Sequence, residues 1–176
     1  MNEPELQDRT ALAVYANTLG CRVGVEVGVH LGGHAAMMLN RCGLQMLYLI
    51  DPWTSEFYTR QMRGQKRMRR CRWTLRPYRG RHEMIRATSN EVVDRFPDGS
   101  IDWVYIDARH WHDYVLEDMR AWWPKVRDGG LFSGHDYYKR GNCGVIAAVH
   151  DFFTPLGRKW HVTTRGERHP TWWVVK

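Results

Sequence analysis

Short apolar runs alternate with longer amphipathic segments along most of this chain, and that alternation most constrains its fold. The apolar runs are four to six residues long, as expected of buried strands. The predicted strands are 22–27, 46–50, 83–87, 101–106 and 131–134. The predicted helices are 4–19, 32–42, 55–72, 89–96, 112–126 and 144–153. Strands that alternate with helices form a parallel sheet with helices on both faces, so the expected class is α/β.

The C-terminal part departs from this alternation. Segments 159–164 and 171–175 have the pattern of two strands joined by only six residues. A connection this short allows only an antiparallel pair, because a parallel return needs a crossover of about a dozen residues or more. We therefore expect the parallel sheet to end in an antiparallel hairpin. No linker or repeat divides the chain, so residues 1–176 are predicted to form one domain.

The helix predicted over 112–126 has an apolar stripe that is expected to face the sheet. Its members are Val115, Met119, Trp122 and Val126. Glu117 and Asp118 are expected to face water, and Asp128-Gly129-Gly130 is expected to end the helix and lead into the next strand.

The apolar runs, the first residues and the cysteines indicate in which cellular compartment the protein is expected. No apolar run approaches the roughly 20 residues of a membrane-spanning helix, and the first residues carry acids where a signal peptide carries bases. The four cysteines form no Cys-x-x-Cys pair, so neither a zinc knuckle nor a disulfide framework is indicated. These features predict a soluble, cytoplasmic protein with no membrane partner.

Two predicted strands end in residues typical of a nucleotide-binding crevice. The first runs into Glu26-Val-Gly28-Val-His-Leu-Gly32, where glycines let the backbone turn tightly and approach a ligand. This spacing is not the G-x-G-x-x-G of a nicotinamide site. The second strand ends in Asp51-Pro52-Trp53, where an acid can accept both ribose hydroxyls and an indole offers a flat face to a purine. The alternative for both stretches is a purely structural turn.

The sequence resembles class I S-adenosylmethionine-dependent methyltransferases in these two stretches and in a third one, residues 96–137. The third stretch contains Ile106-Asp107-Ala-Arg-His110 and Gly134-His-Asp136. Among these methyltransferases the sequence is similar to the small bacterial group of macrocin-type and related sugar O-methyltransferases. The resemblance implies a Rossmann-like methyltransferase fold and S-adenosyl-L-methionine as cofactor. It also implies methyl transfer to an oxygen of a small polar acceptor, such as a sugar or an acidic metabolite.

The resemblance implies roles for individual residues as well. The methionine end of the cofactor would be held by Glu26 and by the glycine loop with Gly28, His30 and Gly32. Asp51 would bind the ribose, and the adenine neighbourhood would include Pro52, Trp53, Thr88 and Ser89. Asp107 would lie beside the transferring methyl group.

Removing the acceptor's proton requires a base, for which the candidates are Asp107, His110 and Asp136. An ordinary histidine pKa near 6.5 suits a base near neutral pH. Asp107 and Asp136 end neighbouring strands, so they could instead share a divalent cation such as Mg²⁺. The metal-dependent sugar methyltransferases place two acids after the fifth strand, whereas here Tyr137 follows Asp136. His135 and Tyr138 could fill in, and helix capping is the plain alternative for Asp136. Trp111 and Tyr114 are expected to line the substrate pocket.

Segment 60–81 carries ten of the 26 lysines and arginines and no acidic residue. The rest of the chain has 16 basic and 19 acidic residues, so this segment accounts for the net positive charge. Its plain interpretation is a solvated helix face. The alternatives are a phosphate-bearing or otherwise acidic acceptor and a nucleic acid, for which Trp73 and Tyr78 would provide stacking surfaces.

Three rival functions follow from these observations. The first is an RNA- or DNA-directed methyltransferase that uses segment 60–81. The second is a module that binds the cofactor without transferring a methyl group. An NAD-dependent dehydrogenase is the third, and both the missing third glycine and the terminal hairpin count against it. Methyltransferases of this size have no separate substrate domain. Specificity is therefore expected to come from the N-terminal helix, from the insert after the second strand or from a second subunit of a homo-oligomer.

Overall fold

The computed structural model describes residues 3–54, 64–139, 141, 143–164 and 168–176. The helices are α1 (Arg9–Thr18), α2 (Gly33–Arg41), α3 (Gly64–Thr74), α4 (Ser89–Val92), α5 (His112–Trp122) and α6 (Val145–Phe153). The strands are β1 (Val23–Val27), β2 (Met46–Ile50), β3 (His82–Ile85), β4 (Ile101–Ile106), β5 (Val126–Gly134), β6 (His161–Val162) and β7 (Trp172–Val175).

These strands form one seven-stranded sheet in the order β3-β2-β1-β4-β5-β7-β6. Strands β1 to β5 pair in parallel. Strand β7 runs antiparallel to β5, and β6 runs antiparallel to β7. The predicted parallel sheet with a terminal antiparallel hairpin is therefore confirmed. The strand order reverses between β1 and β4, and in open α/β sheets ligands bind beyond the carboxyl ends of the strands at such a point.

Two apolar clusters cover the two faces of the sheet. Helices α1, α2 and α3 supply one cluster, with Leu12, Met38 and Cys71 among its buried members. Helices α5 and α6 supply the other cluster, which includes Met119 and Phe153. Burial of apolar surface on both faces contributes about 25 cal/mol per Å² and fixes the sheet between its helices. Among the described helices, none is long and apolar enough to cross a membrane.

Some predicted boundaries are wrong. The first helix begins at Arg9 rather than at residue 4, because the Asp8 side chain caps it by accepting from the Ala11 N–H at 2.8 Å. The helix predicted over 112–126 ends at Trp122, and Val126 already belongs to β5. Of the helix predicted over 55–72, residues 55–63 lie outside the described residues.

The predicted helix stop at Asp128-Gly129-Gly130 lies inside β5. The pairing of β5 with β4 jumps from Val126 opposite Ile101 to Leu131 opposite Trp103, so residues 127–130 bulge from the ladder. Gly129 has a φ of 70°, which glycine adopts without strain. Arg127 holds the bulge by donating from Nε to Asp102 Oδ1 at 2.5 Å.

Candidate active site

The loop between β1 and α2 is built around Gly28. Its φ is 90°, and a Cβ at this position would lie 2.1 Å from the Asp107 carbonyl oxygen. The Gly28 N–H donates to the Ile50 carbonyl at 2.8 Å, and the Asp107 N–H donates to the Val27 carbonyl at 2.7 Å. A side chain at Gly28 would therefore separate the ends of three neighbouring strands, β1, β2 and β4.

Gly32 closes the same loop as the N-cap of α2, with a φ of 77°. A Cβ here would lie 2.8 Å from the sulfur of Cys71. Gly32 therefore allows α3 to pack closely against the loop. The described residues that line the cavity include Gly28 and His30 but not Gly32.

Asp51, at the end of β2, holds this loop in shape. Its Oδ2 accepts from the backbone N–H groups of Val29 at 3.0 Å and His30 at 2.9 Å. Its Oδ1 accepts from the Trp53 N–H at 2.6 Å. Asp51 is buried yet lines the cavity together with Pro52. The carboxylate thus has a structural role that the sequence did not reveal, and its contact with a ribose stays a prediction.

The structure places Trp53 in the core instead of beside a purine. Its side chain is 1% exposed and belongs to the apolar cluster of α1, α2 and α3. The left-handed backbone at Trp53, with a φ of 43°, turns the ring inward, and its indole N–H donates to the His30 carbonyl at 3.0 Å. Trp53 is not among the described residues that line the cavity, so the predicted stacking face is unavailable in this structure.

Glu26 and His34 form a buried pair at the cavity wall. His34 Nδ1 lies 3.1 Å from Glu26 Oε1, and Glu26 is 1% exposed. The other carboxylate oxygen, Oε2, and His34 Nε2 are buried without a hydrogen-bond partner in the described part of the chain. Burial raises the pKa of Glu26. Because buried polar atoms are nearly always paired, these two atoms indicate a ligand that completes the pairing.

Thr88 and Ser89 line another part of the cavity, beside Asp118. Thr88 is the N-cap of α4 and forms a capping box with Glu91. The N–H and the hydroxyl of Thr88 both donate to Glu91 Oε2 at 2.7 Å. The Ser89 hydroxyl accepts from the Trp122 indole at 2.7 Å and also bonds to Asp118. The expectation that Asp118 faces water is wrong: it is 7% exposed, and burial raises its pKa to about 6.

Two aspartates and three histidines lie close together at one end of the sheet. Asp107 and His110 follow β4, His135 and Asp136 follow β5, and His169 lies in the connection between β6 and β7. His110 Nε2 lies 2.9 Å from Asp136 Oδ2 and 3.5 Å from Asp107 Oδ1. His135 Nδ1 lies 3.4 Å from Asp136 Oδ1 and 3.6 Å from Asp107 Oδ1. His169 Nδ1 contacts Asp136 Oδ1 at 2.6 Å. We call these five residues the Asp–His cluster. The structure thus brings together the three predicted catalytic residues.

Hydrogen bonds to Asp107 and Asp136 raise the pKa of His110 to about 10. Burial opposes a charge on His135, but its bonds to the same carboxylates outweigh this and raise its pKa to about 9. Burial likewise disfavours the charged carboxylates, yet the histidine partners keep the pKa of both Asp107 and Asp136 below its ordinary value. The two carboxylates therefore favour the protonated form of His110, which counts against it and favours Asp107 as the base that takes the acceptor's proton.

The cavity has a volume of about 1480 Å³, enough for a cofactor together with an acceptor. Trp111 and Tyr114 form part of its wall, as predicted, and are 57% and 38% exposed. The Arg109 guanidinium lies 4.3 Å from the Tyr114 ring centre. An exposed aromatic rim beside the Asp–His cluster suits recognition of an acceptor.

Sequence reasoning missed His34, Asp118 and His169. His169 had the clearest available signal, because an antiparallel last strand begins beside the carboxyl end of β5. The pairing of Gly134 with Trp172 places the residues before Trp172 beside Asp136. For His34 and Asp118 the spacing along their helices gave no comparable signal.

The strand order, the glycine loop after β1 and the acids at the cavity together define a Rossmann-like methyltransferase fold. Residues 25–137 match the family described as Methyltransferase domain. The chain belongs to this family, as the sequence resemblance predicts.

The chain is also similar to a curated protein and to solved structures. The uncharacterized protein y4gI of Sinorhizobium fredii is 25% identical over 125 residues, which cover 64% of this chain but only 13% of that protein. A solved structure from Corynebacterium glutamicum has a TM-score of 0.69 at 17% identity and covers 98% of this chain and 82% of its own. An O-methyltransferase from Bacillus cereus, solved in complex with SAH, has a TM-score of 0.69 at 14% identity, covering 95% and 80%. At these identities, the similarity to the solved structures shows only that the fold is shared.

Proposed function

We propose that this protein transfers a methyl group from S-adenosylmethionine to a hydroxyl oxygen of a small polar acceptor, such as a sugar or an acidic metabolite. The observation that carries the proposal is one cavity that joins two features. The Glu26–His34 pair lies beside the glycine loop, and its Glu26 Oε2 and His34 Nε2 atoms have no hydrogen-bond partner among the described residues. Asp107 and His110 of the Asp–His cluster line the same cavity.

The residues at the glycine loop fit the cofactor. Glu26 Oε2 is a buried acceptor without a partner in the described structure, as an α-ammonium group requires. Gly28 keeps the loop free of side-chain atoms where the backbone approaches the ligand. Asp51, Thr88 and Ser89 line the cavity where the ribose and the adenine are expected. The bound cofactor supplies an electrophilic methyl group on a sulfonium.

The chain's own residues must then align the acceptor and take its proton. His110 contacts both Asp107 and Asp136; Asp107 and His110 line the cavity, whereas Asp136 is buried and is not among its described lining residues. A carboxylate oxygen of Asp107 would take the acceptor's proton when the methyl carbon leaves the sulfur and bonds to the acceptor oxygen, with S-adenosylhomocysteine as the leaving product. The protonated His110 would stabilise negative charge that develops on the acceptor oxygen, and Trp111 and Tyr114 would contact the acceptor.

We also propose that Asp107 and Asp136 hold a divalent cation, with Mg²⁺ as the first candidate. Ligand atoms of Asp107, His110 and Asp136 all lie within 4.8 Å of one another. Carboxylate oxygens suit Mg²⁺, whereas the imidazole nitrogen of His110, which could bind a cation only after losing its proton, suits Mn²⁺ or Zn²⁺ better, so both kinds of ion belong in the test. A bound cation would lower the pKa of the acceptor hydroxyl.

The cofactor is tested by calorimetry with S-adenosylhomocysteine and with NAD, of which only the first should bind. Turnover is tested by S-adenosylhomocysteine release over a panel of sugars, sugar nucleotides and hydroxylated acids, with EDTA or with added Mg²⁺ or Mn²⁺. Asp107→Asn should abolish release while cofactor binding remains. The control is Asp113→Asn, the same change at an exposed position of α5.

Three outcomes would contradict the proposal. NAD binding in place of S-adenosylhomocysteine would remove the cofactor assignment. Tight cofactor binding with no release from any acceptor would favour a non-catalytic module. For the metal, a cation-dependent rise in melting temperature that persists in Asp136→Asn would place the cation elsewhere.

A further inference from the structure

The outward side of α3 and the turn after it carries a continuous set of cations around one exposed indole. We call it the basic face, and its members are Lys66, Arg69, Arg70, Arg72, Trp73 and Arg76, all exposed. Lys66, Arg70 and Trp73 follow one another at helical spacings of four and three residues, so they lie along one line of the helix. At 1.5 Å per residue, Lys66 and Trp73 are about 10 Å apart along this line.

The inner side of α3 fixes the orientation of the basic face. Arg67, Cys71 and Leu75 recur every four residues and are buried. Arg67 contacts His30 of the glycine loop, and the Cys71 sulfur lies against Gly32. The basic face is therefore presented by a helix that is attached to the wall of the cavity.

The described residues provide no carboxylate within ion-pair distance of the cations of the basic face. Elsewhere on the surface, Arg95 pairs with Glu83 and Lys125 pairs with Asp98. Like charges along one helix repel one another, and this cost is relieved when an anion binds. An extended anion fits better than a single phosphate, because the charges are spread along two turns of the helix.

Trp73 adds a second kind of contact. It is 62% exposed, and the Arg70 guanidinium lies 4.4 Å from its ring centre. An exposed indole flanked by arginines stacks on unpaired bases while the cations contact the phosphates. Unpaired bases are typical of RNA loops and ends, where recognition relies on aromatic and arginine stacking. Trp73 is the only large apolar side chain among the exposed residues of the described α3, which leaves little to insert into a membrane.

We propose that the basic face binds single-stranded RNA, with Trp73 stacking on a base and the surrounding arginines contacting phosphates. This inference concerns binding and does not depend on which molecule accepts the methyl group. It therefore stands apart from the proposed function, and its test uses a separate readout.

The test is fluorescence anisotropy of the full chain with a labelled 12-nucleotide RNA of mixed sequence, titrated from about 50 to 300 mM salt. Five neutralised phosphates predict a slope near −3.5 for log K against log salt, from about −0.7 per contact on single strands. Arg69→Gln with Arg70→Gln should reduce the slope by about 1.4. Trp73→Ala should weaken binding about 5- to 100-fold and leave the slope nearly unchanged.

Arg120→Gln is the matched control, because Arg120 is exposed on α5 at the opposite face of the sheet. It should bind RNA like the unaltered chain, and all variants should bind S-adenosylhomocysteine equally well by calorimetry. The same RNA annealed into a duplex, a DNA strand of the same sequence and anionic lipid vesicles complete the comparison. Equal RNA binding by the Arg69/Arg70 variant, no loss with Trp73→Ala, or stronger binding to duplex, DNA or vesicles than to RNA would overturn the proposal.

Discussion

Replacing Asp118 with asparagine tests the structure at a buried charge. Asp118 is 7% exposed, and burial raises its pKa from the ordinary 3.8 to about 6. This difference corresponds to about 3 kcal/mol, at 1.36 kcal/mol for each tenfold change in proton affinity. Because the folded pKa is the higher one, the folded state favours the protonated acid. The cost of ionisation is therefore absent below about pH 4 and fully present above about pH 6.

Asparagine cannot ionise, and its amide oxygen can still accept a hydrogen bond from Ser89. We therefore expect Asp118→Asn to gain stability over the unaltered chain as the pH rises. Between pH 4 and pH 8, the difference in the free energy of unfolding between the two proteins should grow by about 3 kcal/mol in favour of the variant. Urea unfolding of both proteins at several pH values, without cofactor, measures this difference and cancels the titration of all other groups.

Asp94→Asn is the control, because it makes the same substitution at an exposed aspartate. Its difference from the unaltered chain should stay within about 0.5 kcal/mol over the same pH range. A difference for Asp118→Asn that does not change between pH 4 and pH 8 would refute the argument that burial destabilises this charge.

Two further predictions concern the glycine loop and its neighbour. Gly28→Ala should lower the free energy of unfolding by at least about 3 kcal/mol, because a Cβ would meet the Asp107 carbonyl at 2.1 Å and the φ is positive. The control is Gly99→Ala, where φ is also positive but the new Cβ would meet no atom within 4 Å, so thermal unfolding should show a loss of stability of only about 1 kcal/mol. Equal losses of stability in the two variants would argue against the loop packing described above. Glu26→Gln should weaken S-adenosylhomocysteine binding about 10- to 100-fold by calorimetry, because a neutral amide replaces the carboxyl group that would pair with the α-ammonium group, without lowering the melting temperature of the protein alone. An unchanged affinity would show that Glu26 Oε2 does not contact the cofactor.

Segment 60–81 shows what composition alone can and cannot predict about charged residues. Its ten cations were evident from counting, but counting treats them as equivalent. In the structure, Arg67 is buried against His30, and Arg81 donates to the carbonyls of Leu39 and Leu44 at the end of α2. Arg60 and Arg63 lie outside the described residues. Only packing decides which arginines stabilise the fold and which remain exposed for a partner.

Residue order was enough to predict the parallel sheet, its terminal hairpin and the strands that lead into Glu26, Asp51, Asp107 and Asp136. These features follow from local apolar patterns and from chain connectivity, both of which can be recognised in consecutive residues. The folded structure was needed to show that Trp53 turns into the core, that Asp118 is buried and that His169 contacts Asp136. Each of these depends on contacts between segments distant in the chain, whose burial and electrostatic energies no local pattern contains.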